Sequence, residues 1–165
     1  MKFNTTKKTM SALKNIFPIL LVLLTSCNSK TSSSILDSSN FDSPKERIGF
    51  LSKQIAVKSS IKDCDFELFN VNGFDDERFS VPGASSSDYK FGAIVNEEDL
   101  SKWTLGLKDT ILKNYDFSWV LKLIQKRPEN WSIHYPPKFY VNTDKNLTLL
   151  VYEVEGVIFE RIIKE

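Results

Sequence analysis

The first 26 residues differ from the rest of the chain in charge and hydropathy, and they limit which part can form a folded domain. They contain no acidic residue, and a nine-residue apolar run extends from Ile16 to Leu24. This run is too short to cross a membrane as a helix, which needs about 20 apolar residues. Four lysines precede the run: Lys2, Lys7, Lys8 and Lys14. A positive flank followed by a short apolar run and small residues is typical of an export signal, so residues 1–26 are predicted to be removed.

The predicted signal leads into Leu24-Thr25-Ser26-Cys27, which resembles the lipobox of bacterial lipoproteins. In that family the cysteine sulfur receives a diacylglycerol, the chain is cut before the cysteine, and the new amine is acylated. The resemblance implies that Cys27 is lipidated and anchors the protein to a membrane through its acyl chains. It also favours the outer membrane of a bacterial envelope, because Asn28 stands where an aspartate directs retention at the inner membrane. The alternatives are an ordinary secreted protein or a buried apolar helix, and Met10 is a second candidate start.

The charge of the chain argues against nucleic acid as a partner. The full chain has 22 basic and 21 acidic residues, and loss of the signal's four lysines leaves 18 basic against 21 acidic. The mature chain therefore has a net charge of −3 and lacks the basic excess that binding to phosphate backbones requires. Its 139 residues are enough for one domain.

Composition divides the mature chain into two parts. Residues 27–42 are rich in serine and poor in apolar side chains, which predicts a flexible tether between the lipid and the domain. Order is predicted to begin at Ser43, since Ser43 and Glu46 match a capping box and Pro44 suits the first position of a helix. Residues 43–165 are therefore predicted to form a single domain.

The spacing of apolar residues in that domain predicts an α+β fold, an antiparallel sheet of about five strands with two or three helices packed on one face. Strands are predicted at about 63–71 and 88–95, and a helical region at about 109–127, which Asp116 breaks and recaps. Branched and aromatic residues predict three further strands towards the C-terminus: 138–141, 147–154 and 157–163.

Few side chains in the sequence suggest chemistry. Cys64 is the only thiol of the mature chain, and it is predicted to be buried because it alternates with Phe66 and Leu68 on one strand face. His134 is the only histidine, which excludes a histidine-rich zinc site. Cys64 and His134 have the chemistry of a nucleophile and a base, but nothing in the sequence brings them together. No catalytic, cofactor-binding or metal-binding residue is therefore predicted, and no cofactor.

The connection between the first two predicted strands, residues 72–88, is the best candidate for a contact with a protein partner. Connections of this length are uncommon in small domains unless they bind something. Phe74, Phe79 and Val81 supply apolar anchors that a purely solvated loop does not need. Trp131 is a further candidate contact. An ordinary lid that folds back onto the sheet explains the three loop side chains equally well.

Functional expectations from the sequence are broad. The stretch from Ser87 through Trp103 is similar to small bacterial lipoproteins of unknown activity. The chain is predicted to be a lipid-anchored envelope lipoprotein that binds an envelope component and is not an enzyme. The alternatives are a lipid-anchored inhibitor or immunity protein against a toxin or hydrolase, and a small envelope enzyme.

Overall fold

The computed structural model describes residues 34–74 and 86–165, which adopt an α+β fold. Three α-helices are present there: α1 (Pro44–Gln54), α2 (Leu100–Thr104) and α3 (Ser118–Lys126). Seven strands form one open, antiparallel sheet: β1 (Ile35–Asp37), β2 (Ile61–Asn70), β3 (Ser87–Val95), β4 (Lys108–Thr110), β5 (Lys138–Asn142), β6 (Leu147–Tyr152) and β7 (Val157–Lys164). The strand order is β1-β2-β3-β7-β6-β5-β4, so the fold class is confirmed while the expectation of about five strands understates the sheet.

The two additional strands are short and lie at the edges of the sheet. β1 pairs with β2, with Leu36 opposite Leu68, and a 3₁₀ helix at Ser38–Asn40 follows it. The prediction of a flexible tether over residues 27–42 is therefore wrong for residues 35–40. Pairing with a long neighbouring strand gives these residues backbone hydrogen bonds that their serine-rich composition does not reveal. Cys27 and the rest of the predicted tether up to residue 33 lie outside the described residues.

Local sequence patterns predicted the start of α1 correctly, but they predicted α3 as part of a longer helical region. Ser43 and Glu46 form the predicted capping box, in which each side chain accepts a hydrogen bond from the other residue's backbone N–H. The predicted helical region 109–127 is helical only in α3, because its first residues belong to β4. Asp116 precedes α3 as predicted and accepts a hydrogen bond from the backbone N–H of Ser118 at 2.9 Å.

Helices cover both faces of the sheet, which corrects the prediction that they pack on one face. On the first face α1 and α2 place Leu51 and Trp103 over the core that contains Phe66, Phe91 and Leu149. On the second face α3 packs over a separate cluster: Trp119, Val120, Leu123, Trp131, Leu150 and Phe159 among its buried members. The reason is that β6 and β7 carry apolar side chains at successive positions, so that both of their faces have to be covered.

Candidate functional site

An open cleft of about 770 Å³ lies on the first face of the sheet. Three segments form its rim: the end of α1, the turn that follows α2, and the turn between β5 and β6. The C-terminal half of β7 forms its floor. Its lining is mixed: about half of the lining residues are charged or polar, and the apolar side chains include Ile55, Leu107, Leu147 and Ile162. Small-molecule sites typically combine such a size and lining with a few well-placed polar groups.

The polar group at the floor of the cleft is the carboxylate of Glu160. Glu160 lies on β7 between Phe91 of β3 and Leu149 of β6, both of which are fully buried. Only 3% of its surface is exposed. Its Oε2 has no hydrogen-bond partner among the described residues. A buried carboxylate oxygen without a donor costs free energy, so this position is exceptional in a folded protein.

Lys58 is the cation closest to this carboxylate, but its hydrogen bond goes elsewhere. Its Nζ lies 3.8 Å from Glu160 Oε2, beyond hydrogen-bond distance. The same Nζ donates to the backbone carbonyl of Trp103 at 2.9 Å and lies 5.5 Å from the centre of the Trp103 ring. Lys58 therefore supplies positive charge near the floor of the cleft but does not donate a hydrogen bond to Oε2 of Glu160.

Burial sets the protonation of Glu160. Removal of the carboxylate from water raises its pKa from 4.5 to about 7, and the charge of Lys58 opposes that shift only in part. The group is therefore expected to change its protonation near neutral pH. Carboxyl groups with such pKa values concentrate at sites where proteins bind ligands or transfer protons.

Glu160 was not among the residues predicted from the sequence, although the alternation of side chains along β7 points to it. Ile158, Glu160 and Ile162 alternate along β7 and so share one strand face. Because Ile158 is buried, the alternation places Glu160 against the core as well. A charged residue at an inward position of an apolar strand is thus the feature that could have located the cleft.

Cys64 and His134 do not form the nucleophile–base pair considered above. Cys64 is completely buried in the core of the first face, as predicted. Burial, together with the neighbouring charge of Asp63, raises the pKa of its thiol to about 12. His134 is exposed, and its side chain lies 3.1 Å from the hydroxyl of Ser132.

The contact between Ser132 and His134 does not amount to a catalytic site. Glu155 accepts the backbone N–H groups of His134 and Tyr135 at 2.7 and 3.0 Å, which does not orient the imidazole ring. Ser132 and His134 are both open to solvent. A serine nucleophile also needs an oriented base and donors for the developing oxyanion, and this arrangement supplies neither.

The predicted contact residues have different locations. Phe74 is partly buried, and its ring centre lies 6.3 Å from that of Phe50 and 6.2 Å from that of Tyr89. For Phe74 the structure thus agrees with the lid alternative. Trp131 is only 8% exposed and packs 5.2 Å from the Phe159 ring, so little of its side chain is accessible to a partner. Phe79 and Val81 lie outside the described residues.

Residues 34–74 and 86–165 contain neither a candidate metal site nor a candidate membrane-spanning helix. In these two ranges no group of three or more histidine, cysteine, aspartate or glutamate side chains is placed to hold a metal ion. None of the helices in the described part of the chain has the length and apolar composition needed to span a membrane. Comparison with protein-family models, curated proteins and solved structures finds no match to this chain.

Proposed function

We propose that this protein is a lipoprotein of the bacterial envelope. Acyl chains on Cys27 anchor it in the outer membrane rather than in the inner membrane. Support comes from the sequence: four lysines, a nine-residue apolar run and small residues precede Cys27, and Asn28 follows it. Two or more acyl chains hold a protein stably at a membrane, since each buried methylene contributes about 0.8 kcal/mol.

Metabolic labelling with radioactive fatty acid tests the anchor. The wild-type protein should incorporate the label, whereas Cys27→Ala should not, because it lacks the sulfur that receives the lipid. Cys64→Ala is the matched control and should be labelled like the wild type, since Cys64 is buried in the folded domain. Equal labelling of wild type and Cys27→Ala would end the lipoprotein proposal.

We further propose that the domain binds a small ligand in the cleft without transforming it. The observation that carries this proposal is the buried carboxylate of Glu160, whose Oε2 has no hydrogen-bond donor among the described residues, at the floor of a cleft of about 770 Å³. A cavity that serves only packing would have no reason to retain such a group, which costs stability where it stands.

Native mass spectrometry of the full chain, extracted in detergent from the cells that produce it, tests binding directly. Wild-type protein should carry a non-covalent adduct. Ala56→Trp should lose the adduct, because Ala56 lines the cleft and is exposed, so a large side chain there obstructs the cleft without disturbing the core. Val57→Trp, next to it but outside the lining, should keep the adduct. An adduct that survives in Ala56→Trp would contradict binding in the cleft.

A second candidate function is a lipid-anchored inhibitor or immunity protein, and one surface feature favours it. Leu105 and Ile111 are 82% and 85% exposed, and they flank the short edge strand β4. Large apolar side chains beside a free strand edge suit contact with another protein. Phe79 and Val81 are the proposed contacts in the loop between β2 and β3.

Partner capture from intact cells distinguishes these candidates. If a protein partner binds beside β4, Leu105→Ser combined with Ile111→Ser should abolish capture while the melting temperature barely moves. If it binds the loop, Phe79→Ser combined with Val81→Ser should do the same. A large drop in the melting temperature of the loop variant would instead show that these side chains are packed, at about 1.5–3 kcal/mol for each buried side chain lost.

A further inference from the structure

Oε2 of Glu160, which lacks a hydrogen-bond donor among the described residues, indicates the chemistry of the ligand more closely than the cleft alone does. We propose that the cleft binds a small organic amine, whose ammonium group donates to Glu160 and whose apolar body lies against the walls. This inference rests on the proposed binding function and adds the class of ligand to it.

The carboxylate of Glu160 lacks a hydrogen-bond donor that an amine could supply. Its Oε2 has no donor among the described residues, and Lys58 at 3.8 Å is already bonded to the Trp103 carbonyl. A ligand ammonium would supply both the missing hydrogen bond and a counter-charge. Hydrogen bonds between ammonium and carboxylate groups are short and about twice as strong as neutral ones. A ligand acid would instead place a third acceptor beside an oxygen that already lacks a donor.

The apolar part of the lining indicates the rest of the ligand. It consists of side chains such as Ile55, Leu107, Leu147 and Ile162. Charged groups and the amides of Gln54, Asn142 and Asn146 make up the other half of the lining. A compact hydrocarbon body with a single amine therefore suits the apolar part, with the amine directed to Glu160.

Several charged or titratable side chains line the cleft together with Glu160. Lys58 and Tyr89 face the floor, and the charged rim residues are Asp144, Lys145, Lys164 and Glu165. The rim carries both signs, so it does not select between anions and cations. Binding of an amine requires ionised Glu160, so the affinity should rise with pH through about 7 while the amine stays protonated. A carboxylic acid that accepts from protonated Glu160 would show the opposite trend.

The test uses the full chain in detergent and three probes of one shape: cyclohexylamine, cyclohexanol and cyclohexanecarboxylate. Binding is followed by NMR shifts of backbone amides in and around the cleft. Shifts are counted only where they differ from those of Ala56→Trp, which removes effects of probe partitioning into detergent. The amine should bind tightest of the three, with a dissociation constant at pH 8 at least about tenfold lower than at pH 5.5, because only the ionised fraction of Glu160 is competent.

Two variants make the result specific to Glu160. Glu160→Gln should lose the amine's advantage over the alcohol and the pH dependence. Glu153→Gln should behave as wild type, because Glu153 is exposed and pairs with Lys138 at 2.7 Å away from the cleft. A carboxylate that binds better than the amine, or an amine affinity that is unchanged in Glu160→Gln, would overturn the amine inference. The native adduct lost in Ala56→Trp would still support binding in that case, so failure of the amine and failure of the binding function are distinguishable.

Discussion

Glu160 lies between Phe91 and Leu149, where its carboxylate is buried and its Oε2 has no hydrogen-bond donor among the described residues. It is expected to make the folded domain less stable as the pH rises from about 5 to about 8. Burial raises its pKa from 4.5 to about 7, so between those values the folded state holds a proton that the unfolded state has lost. The free energy of unfolding should therefore fall across this window by about 3 kcal/mol, measured by urea denaturation as a function of pH.

Two variants test whether that slope belongs to Glu160. Glu160→Gln keeps the shape of the side chain and removes the ionisable group, so its stability should depend much less on pH between 5 and 8. Glu153→Gln should retain the wild-type slope, since Glu153 is exposed. A wild-type stability that stays level or rises over this range would contradict a buried carboxyl group with a raised pKa.

Cys64 provides a second test at the scale of single residues. Its side chain is completely buried and the pKa of its thiol is raised to about 12, so the reactive thiolate is scarce and inaccessible. A thiol reagent should modify Cys64 slowly in the folded protein and rapidly after denaturation, as followed by peptide mapping. Rapid modification of the folded protein would show that the strand face is open to solvent.

Sequence alternation predicted the environment of some residues and missed that of others. Cys64, Phe66 and Leu68 were expected on one buried face, and they are there because alternation along a strand is a local property. Trp131 was considered as a candidate contact, and the sequence did not reveal that it packs against Phe159, a strand residue far along the chain. Contacts of that kind depend on the fold as a whole, so local patterns do not reveal them.

Among the elements, the 3₁₀ helix after β1 is fastened to β2 and α3 by a charged network. Asp65 of β2 is 1% exposed, accepts a hydrogen bond from the Ser38 hydroxyl at 2.7 Å and pairs with Arg127 at the end of α3. The Arg127 guanidinium also donates to the backbone carbonyl of Ser38 at 3.0 Å. This network orders a segment whose composition alone predicts a tether.

Removal of Arg127 should therefore be costly. Arg127→Met leaves Asp65 buried without its cation, and such a loss lowers the free energy of unfolding by about 3–5 kcal/mol. Lys138→Met is the control, because the pair of Lys138 with Glu153 is exposed and its loss should change the free energy of unfolding little. Urea denaturation of both variants measures the difference. Similar losses in the two would mean that the network does not hold the segment in place.

Elements with a local signature were predictable and those formed by pairing were not. The capping box of α1 lies within four residues, and the three C-terminal strands carry dense runs of branched and aromatic side chains. β1 and β4 have three residues each and owe their structure to neighbouring strands distant in sequence. Because β4 was not predicted as a strand, its residues were included in the predicted helical region 109–127, which was therefore too long.

At the scale of the whole molecule the two faces of the sheet differ. The second face is covered by α3 and by the charged network around Asp65. The first face is covered by α1 and α2, and the cleft lies where the end of α1 meets the turns after α2 and before β6. The α+β class follows from the order of the predicted elements. The cleft does not, because it depends on where helices end relative to a sheet.

The central claim is that the cleft above Glu160 holds this protein's ligand while the chain is anchored in the envelope. Site-specific photo-crosslinking in living cells tests it most directly, with a photoreactive residue replacing Lys145 at the exposed rim of the cleft. Leu121 on α3, which covers the opposite face, is the control position. We expect a mass adduct on the chain substituted at Lys145 and none on the chain substituted at Leu121. No adduct at Lys145, or an equal adduct at both positions, would contradict the claim.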